Sequence, residues 1–450
     1  MAAQKNPVAE LEQLRDLITS SIEAVKKNAV DNADPLLSLK TVEPHPIYSR
    51  NDQALAVALK TISSSAHMLR ALCDPNTFIN DITYGYHDET ALLVACQADI
   101  PNLLGDGERH VDELAAKSGL NADRLARHLR NLCNSLIFQE TAPNRFANNA
   151  LSATFKAEGK KALVGHCIDE ARKSSCKAWE ALTLPEYKDS TAANKAPFNI
   201  AYETELDYFQ YVSSVRTDIG QRAKTAMAGK GLNLGQYLSL YPWDSQQGAA
   251  VVDVGGGIGA ATLPILRQYP HLKLTVQDLP DSGPGFKKNL EENYPDILKL
   301  GNPQFVHLDF FQSSPVKGAD IYFLRHVIHD WPDAEAVKIL SNTAASMTRN
   351  SKLLICEHVV CPTYRVVDNG TAAANGKERG DENKWEAPEP LLANWGDAPT
   401  SRLDLQVFTC LNAKQRTKIE YEGLVARAGL ELVKVWRNMG DETILECRLR

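Results

Sequence analysis

The chain has 450 residues and a formal net charge of −7, with 44% hydrophobic and 23% charged residues. This length and composition predict a globular protein with one large core or two to three ordinary domains. The acidic balance argues against a protein that binds nucleic-acid phosphates, because such proteins normally carry a basic face. The start lacks the pattern of a secretory signal, and no stretch approaches the roughly 18 apolar residues of a membrane span. We therefore expect a cytoplasmic protein that binds neither nucleic acid nor membrane.

Residues 1–50 predict an amphipathic helix followed by a linker. Apolar residues recur at helical spacing from Leu11 to Val25, between polar residues. Such a helix packs on its own chain or on a partner subunit, and the spacing does not separate the two. Residues 51–240 predict a second, mostly helical domain, with its clearest helices in NDQALAVALKTISSSAHMLRALC and DETALLVACQADIPNLL.

A winged helix-turn-helix is predicted from Val111 within this helical domain. A short helix, a turn at Gly119 and a second helix precede a two-stranded wing that turns at Pro143 and Asn144. Arginines on the second helix (Arg124, Arg127 and Arg130) resemble those of a DNA-recognition helix. The acidic chain has no flanking basic arm, so we favour a role other than DNA binding, since a fold module does not carry its function with it.

Residues 241–450 predict an α/β domain. Strand-like and helix-like segments alternate there, which indicates a mainly parallel sheet with helices on both faces and an antiparallel pair at the C-terminus. Residues 362–401 are rich in Gly, Pro, Ala, Asn and acidic residues without a sustained period, and they predict a long mobile insertion. The predicted strands lie in AAVVDVGG, LKLTVQD, PQFVHLDF, DIYFLRHV, KLLICEHVV, LELVKVWR and TILECRLR.

The stretch VVDVGGGIGAATLPILRQYPHLKLTVQDLP predicts a nucleoside-binding turn. Gly255 and Gly257 allow close approach of the backbone, and the helix that follows offers free N–H groups to a ligand. Asp278 closes the next strand about 20 residues on, where a carboxylate can bind both ribose hydroxyls. The glycine pattern alone also fits a dinucleotide. Asp253 stands two residues before the first glycine, where it would repel phosphates and suit an amine-bearing ligand.

Two later strand ends carry further candidates for the site. After the third strand, Asp309 can accept a hydrogen bond from an adenine amine, and Phe310 supplies an apolar wall. After the fourth strand come His329 and Asp330, at the edge where open α/β sheets hold their ligands.

The motifs DVGGGIG, QDLP, HLDFF, LRHVIHDWPD and LLICEHVV resemble those of S-adenosylmethionine-dependent O-methyltransferases of the caffeate and fungal secondary-metabolite type. The resemblance implies a Rossmann-like class I methyltransferase domain behind an α-helical, winged-helix domain that forms a homodimer. It also implies S-adenosyl-L-methionine as cofactor and a phenolic or enolic hydroxyl of a small aromatic or polyketide-like molecule as substrate. The cofactor-binding residues that it implies, together with those argued above, are Asp253, Gly255, Gly257, Asp278, Leu279, Asp309, Phe310 and Arg325. We expect Met227 and His326 near the substrate, His326 being packed or hydrogen-bonded.

His329 is the predicted general base. A phenol must lose its proton to attack a sulfonium methyl group, and a neutral imidazole suits that step near pH 7. Glu357 ends the next strand, 28 positions later as in the family, and would fix the histidine tautomer. The alternative is that His329 only caps a loop beside Trp331.

No metal is expected at this site. The ligand-type residues near His329 include consecutive pairs such as Glu357 and His358, which point to opposite faces of a strand. The nine cysteines are scattered without a CxxC pair, which predicts free thiols.

One departure from the family lies in LNAKQRT. Family members usually carry a glutamate in a GKERT turn, which flanks the histidine from the other side, and this chain has Gln415 there. Glutamine can hydrogen-bond but adds no charge to stabilise an imidazolium. This keeps open an alternative of the same fold, a cofactor-binding dehydratase or pericyclase of natural-product biosynthesis. In those proteins Arg or Lys replaces the histidine, so His329 favours methyl transfer.

Overall fold

The computed structural model describes residues 6–230, 240–301, 303–313, 315–365 and 386–450. The chain divides into two compact units. The first unit comprises Met1–Leu37, Pro44–His87 and Val360–Pro399, and the second comprises Ser38–Glu43, Asp88–Val359 and Thr400–Arg450. The domain boundaries predicted at residues 50 and 240 remain predictions. Within the predicted insertion, residues 366–385 lie outside the described residues.

The first unit contains the predicted N-terminal helix. Its helices are α1 (Ala9–Asp31), α2 (Gln53–Cys73) and α3 (Pro75–Tyr84). Leu14 is fully buried on the apolar face of α1, as the helical spacing requires. The side chain of Asp52 accepts a hydrogen bond from Leu55 N at 3.0 Å and so caps the start of α2.

The second unit begins with helices and a small sheet. In chain order these elements are α4 (Tyr86–Gln97), α5 (Ile100–Leu104), β1 (Glu108–His110), α6 (Val111–Ser118), α7 (Ala122–Asn134), β2 (Gln139–Ala142), β3 (Arg145–Ala147), α8 (Glu158–Gly165), a π-helical turn (His166–Ala171), α9 (Arg172–Ser175), α10 (Ala178–Thr183), α11 (Pro197–Tyr202), α12 (Tyr208–Ser214) and α13 (Thr217–Lys230).

Helices α6 and α7 and strands β2 and β3 lie where the helix-turn-helix and wing were predicted. Gly119 ends α6 with φ +74°, a left-handed conformation that glycine adopts without strain. The side chain of Asn121 accepts from Arg124 N at 3.1 Å and caps α7. The three strands form an antiparallel sheet of order β1-β3-β2. That this region is a winged-helix dimerisation module stays a prediction.

The rest of the second unit is built on a central seven-stranded sheet, which confirms the α/β class. The remaining elements of the chain are β4 (Ala250–Val254), α14 (Thr262–Gln268), β5 (Lys273–Asp278), α15 (Gly283–Asn293), α16 (Pro295–Leu298), β6 (Gln304–His307), β7 (Ile321–Arg325), α17 (Asp333–Ala344), β8 (Lys352–Glu357), β9 (Val359–Val360), α18 (Ala398–Leu411), β10 (Arg416–Thr417), α19 (Lys418–Arg427), β11 (Leu430–Arg437) and β12 (Thr443–Leu449).

The strand order of this sheet is β11-β12-β8-β7-β4-β5-β6. The five strands from β8 to β6 are parallel, whereas β12 runs antiparallel to β8 and to β11. This is the predicted parallel sheet with an antiparallel pair at the C-terminus.

The central strands β4, β7 and β8 are buried on both faces of the sheet, which explains their nearly continuous apolar runs. Val251 and Phe323 pack into the core on one face, and Val252 and Leu324 pack into the core on the other. Because β4, β5, β7 and β8 run parallel, their carboxyl ends meet at one edge of the sheet, where the candidate site lies.

None of the described helices has the length and apolarity that crossing a membrane requires.

Candidate active site

The glycine turn after β4 requires its glycines. Gly255 and Gly257 have φ of +74° and +56°, which side chains rarely adopt. A Cβ added at Gly255 would lie 2.9 Å from Cγ2 of Val327 and 3.4 Å from Cε1 of Phe310. The turn therefore presents bare backbone at the sheet edge, with the ring of Phe310 packed against it.

Asp278 lies at the end of β5 and is fixed toward this turn. Its Oδ2 accepts a hydrogen bond from Gly257 N at 2.7 Å, and its Oδ1 accepts from Leu279 N at 2.7 Å and from Ser282 Oγ at 3.1 Å. The carboxylate is partly exposed. Its position and remaining lone pairs suit the two hydroxyls of a ribose.

Asp253 is turned away from solvent. Thr262 Oγ1 donates to its Oδ2 at 2.6 Å, and a Cβ added at Gly256 would lie 2.4 Å from its Cγ. Burial, together with the negative charge of Asp278, raises the pKa of Asp253 to about 7, while the hydrogen bond from Thr262 opposes this rise. The carboxyl group supports the turn from behind, and its predicted contact with a cofactor amine stays a prediction.

Asp309 and Phe310 follow β6 at the same edge. Asp309 is exposed, and its Oδ1 accepts from Phe311 N at 2.9 Å. Phe310 is half-buried, and its ring meets that of Trp331 at 6.2 Å between centroids. A polar acceptor beside an apolar wall fits the edge and face of a purine.

His329 is buried in a short 3-10 turn (Ile328–Asp330) that follows β7. Its Nδ1 lies 3.2 Å from Oε2 of Glu357, and its Nε2 lies 3.3 Å from Oδ1 of Asp330. The parallel pairing of β7 with β8 brings Glu357 to the histidine, as the sequence predicted. Because Nδ1 faces a buried carboxyl group, Nε2 is the ring nitrogen that remains for proton exchange with a substrate.

Glu357 is fully buried, and its other oxygen, Oε1, accepts from the backbone N–H groups of Ile328 and His329 at 2.9 and 3.2 Å. Burial and the negative charge of Asp330 together raise the pKa of Glu357 to about 8, while the two N–H groups and Arg416 oppose this rise. A pKa this far from the ordinary value, beside a histidine, is typical of functional sites.

Gln415 corrects one geometric expectation. The family resemblance implied that residue 415 flanks His329 from the side opposite to Glu357, but Nε2 of Gln415 lies 2.6 Å from Nδ1, the nitrogen that also faces Glu357. Both side chains therefore meet the same ring nitrogen. Gln415 Oε1 is buried without a hydrogen-bond partner among the described residues.

Arg416 is a site residue that the sequence reasoning missed. This fully buried arginine donates to the carbonyl oxygens of Ile328 at 3.0 Å and Trp331 at 2.8 Å. It also donates to Oδ1 of Asp333 from Nε and Nη2, at 3.0 and 2.8 Å. It thus holds both ends of the turn that carries His329. The sequence feature that could have identified Arg416 is its position next to Gln415 in LNAKQRT.

Aromatic rings surround this turn. Trp331 stacks on Phe209 with 5.4 Å between ring centroids and meets Phe311 edge-on at 4.6 Å. Phe209 belongs to α12, so a helix from the N-terminal part of the second unit reaches the site. Met227 on α13, predicted near the substrate, is 42% exposed.

Arg325 and His326 are turned toward Glu442 and not toward the glycine turn. Arg325 donates to Oε1 of Glu442 from Nε at 3.0 Å and from Nη2 at 2.5 Å. His326 Nε2 lies 3.0 Å from the same oxygen. The cofactor role of Arg325 and the substrate role of His326 stay predictions that these contacts do not support.

Comparison with known proteins identifies a family. A family model described as an O-methyltransferase domain matches residues 190–384. The curated relative 3-O-methyltransferase 2 of Phanerochaete chrysosporium is 34% identical over 392 residues, which are 85% of this chain and 84% of the relative.

Solved structures share the fold. The mitomycin 7-O-methyltransferase is 25% identical, with a TM-score of 0.66, and the match covers 84% of this chain and 99% of that protein. A structure described as a pericyclic reaction enzyme matches with a TM-score of 0.71, and the match covers 97% of this chain and 100% of that protein. Its identity is 19%, so this likeness shows the fold alone.

Proposed function

Because the chain belongs to the O-methyltransferase family and is an S-adenosyl-L-methionine-dependent O-methyltransferase, we propose that it methylates a phenolic or enolic hydroxyl of a small secondary metabolite. The observation that carries this proposal is the buried His329, placed between Glu357 and Asp330 at the carboxyl edge of the sheet. The mitomycin enzyme of similar structure supports a small-molecule substrate. The aromatic rings of Phe209 and Trp331 beside the histidine favour an aromatic or polyketide-like one.

The residues around the glycine turn fit the cofactor that the family implies. Gly255 and Gly257 would lie beside its methionine part, where a Cβ at Gly255 would fill the space next to Val327. Asp278 and Leu279 would hold the ribose, and Asp309 and Phe310 the adenine. When bound, the cofactor supplies a methyl group on a positively charged sulfur.

His329 then acts as the general base. Its Nε2 takes the proton of the substrate hydroxyl as the oxygen becomes a nucleophile. For this step Nδ1 must carry a proton, and Glu357 Oε2, which lies 3.2 Å away and has no hydrogen-bond partner among the described residues, is the carboxylate oxygen beside it. Asp330, 3.3 Å from Nε2, stabilises the imidazolium that forms. The surrounding aromatic side chains exclude water and so strengthen these interactions.

A dehydratase or pericyclase is the second candidate. It is favoured by Gln415, which places an uncharged group on Nδ1 where the family usually has a glutamate. A retained histidine argues for methyl transfer, since a cationic residue replaces it in the alternative group.

One variant separates these functions. His329→Ala should lower the rate of S-adenosylhomocysteine formation with a phenolic substrate by on the order of 10² to 10⁴. Its affinity for S-adenosylmethionine should stay nearly unchanged, because the histidine does not hold the cofactor. His87→Ala removes an exposed imidazole and is the matched control. Methylation by His329→Ala at the wild-type rate would refute the general base. Substrate conversion without S-adenosylhomocysteine would support the pericyclase.

We also propose that the chain forms a homodimer through its N-terminal helices, with the winged helix as part of that dimerisation domain. On α3 of the first unit, Ile79 and Ile82 are 58% and 69% exposed. They are three residues apart and so share one face of the helix. Exposed apolar faces of this kind mark interaction surfaces. Light scattering should give the mass of two chains at micromolar concentration, and a monomer would refute the proposal.

A further inference from the structure

A second polar cluster lies next to His329 and has no part in the proposed chemistry. It consists of His326, His358 and Glu442, here called the His326 cluster. One ligand atom from each residue lies within 4.8 Å of the other two. His326 Nε2 and Glu442 Oε1 are 3.0 Å apart. The rings of His326 and His358 are 5.1 Å apart between centroids.

The fold explains how these side chains meet. Successive residues at the end of β8 point to opposite sides, so Glu357 faces His329, while Cys356 and His358 lie on the side of Glu442. Cys356 Sγ lies 3.6 Å from Oε2 of Glu442. Glu442 immediately precedes β12, which pairs with β8. His326 directly follows β7, in a left-handed conformation with φ +54°.

We propose that the His326 cluster binds a transition-metal dication of the zinc type through His326, His358 and Glu442. Two imidazoles and one carboxylate form a ligand set that zinc accepts in proteins. Tetrahedral zinc with bonds of 2.0–2.1 Å places its ligand atoms about 3.3 Å apart. The distance between His326 Nε2 and Glu442 Oε1 is already near this spacing. The ligand atom of His358 lies within 4.8 Å of both, so side-chain rotation can move it to the same spacing. This inference revises the expectation of no metal and does not depend on the methylation reaction.

Arg325 should weaken the binding of a metal at the His326 cluster. Its guanidinium group occupies Oε1 of Glu442 with two hydrogen bonds, so a dication must share this carboxylate with it. A dication at Oε1, the oxygen 3.0 Å from His326 Nε2, therefore competes with the guanidinium group, while Oε2 faces Cys356. Repulsion between the guanidinium and the dication predicts a reversible site that a chelator empties, unlike a permanent structural zinc site. Nitrogen ligands disfavour Mg²⁺ and Ca²⁺, which prefer oxygen.

The test is titration of the full-length chain, freed of metal by chelation, with Co²⁺ as a spectroscopic substitute for zinc. We expect one equivalent of Co²⁺ to give the visible absorption of a tetrahedral site, and Zn²⁺ but not Mg²⁺ to abolish that absorption. His358→Gln should lose this equivalent, whereas His87→Gln, which removes an exposed imidazole outside the cluster, should keep it.

Zn²⁺ should also raise the unfolding temperature of the wild-type chain in a concentration-dependent way, and it should not do so for His358→Gln. If His358→Gln does not fold, Glu442→Gln is the second variant, and it should also lose the Co²⁺ absorption. No tetrahedral Co²⁺ absorption in the wild-type chain would overturn the proposal without any variant. Equal binding by wild type and His358→Gln would overturn it as well.

Discussion

Nε2 of Gln415 lies 2.6 Å from Nδ1 of His329, the same ring nitrogen that faces Oε2 of Glu357. A neutral imidazole that accepts at Nδ1 carries its proton on Nε2, and in that tautomer Nε2 has no lone pair for a substrate proton. Rotation of the Gln415 amide by half a turn would instead present Oε1 to Nδ1–H. The identity of residue 415 therefore controls how much of the histidine is ready to act as a base.

Gln415→Glu should raise the methylation rate at neutral pH. A carboxylate accepts but does not donate, so it selects the Nδ1–H tautomer and favours the imidazolium as the proton arrives. The gain should be up to about tenfold, the worth of roughly 1.4 kcal/mol in the transition state. The same charge raises the pKa of His329, so the acid limb of the pH–rate profile should move to higher pH.

Gln415→Met is the control for this experiment, because it keeps the approximate volume and removes both hydrogen-bonding groups. Its pH–rate profile should not move in the direction expected of Gln415→Glu. A Gln415→Glu enzyme with the rate and profile of the wild type would show that residue 415 does not select the tautomer.

The raised pKa of Glu357 should make the folding stability fall as the pH rises. Its pKa is raised from 4.5 to about 8, so between these values the folded chain holds a proton that the unfolded chain has lost. Stability therefore falls as pH rises through this window, by at most roughly 1.4 kcal/mol per pH unit. Glu357→Gln has no such proton and should flatten the curve.

Urea unfolding from pH 5 to 8 measures this slope in both proteins. The rate should carry a matching signature, because only half of the Glu357 side chains that stabilise the imidazolium are ionised at a pH of about 8. The wild-type kcat should rise through that range, and the Glu357→Gln kcat should lack this step. Parallel stability curves would mean that Glu357 is already ionised in the folded chain at pH 5.

Asp278→Asn should weaken cofactor binding. Asp278 Oδ2 accepts a charge-assisted hydrogen bond from Gly257 N at 2.7 Å, and removing the charge also weakens the expected hydrogen bonds to the ribose. A charge-assisted hydrogen bond contributes about 1.5–3 kcal/mol, so the Kd for S-adenosylmethionine should rise roughly 10- to 100-fold. Calorimetric titration measures it, with the exposed Asp281→Asn as control. An unchanged Kd would remove Asp278 from the cofactor site.

The central strands β4, β7 and β8 were predictable, because a strand buried on both faces needs a run of apolar residues bounded by turns. The relation of His329 to Glu357 was predictable for a related reason, since parallel neighbours place their carboxyl ends side by side. Both arguments depend only on local pattern and strand order.

Contacts made by distant loops could not be predicted in this way. Gln415 is 86 positions from His329, and nothing in the local pattern says from which side its amide arrives. Glu442 is 117 positions from Arg325, so the sequence reasoning left both Arg325 and His326 facing the ligands. Side-chain direction at a loop end depends on tertiary packing, and spacing alone does not encode it.

Arg416→Ala should damage both folding and catalysis. The substitution leaves the carbonyl oxygens of Ile328 and Trp331 without their donor and Asp333 without its closest cation. Breaking a buried charged network of this kind costs about 3–5 kcal/mol of unfolding free energy. Because the freed turn carries His329, kcat should fall by on the order of 10²-fold, as for a misplacement of about 1 Å.

Arg427→Ala is the matched control for Arg416, because Arg427 Nη1 lies 3.7 Å from the other oxygen of Asp333 but its side chain is 54% exposed. It should cost no more than about 1 kcal/mol, as exposed ion pairs do. A positioning role predicts that Arg416→Lys lowers kcat while the Kd for S-adenosylmethionine stays unchanged, since the lysine keeps the charge but not the planar fork that reaches both carbonyls. If Arg416→Lys lost stability yet kept the wild-type kcat, Arg416 would stabilise the fold without positioning the histidine.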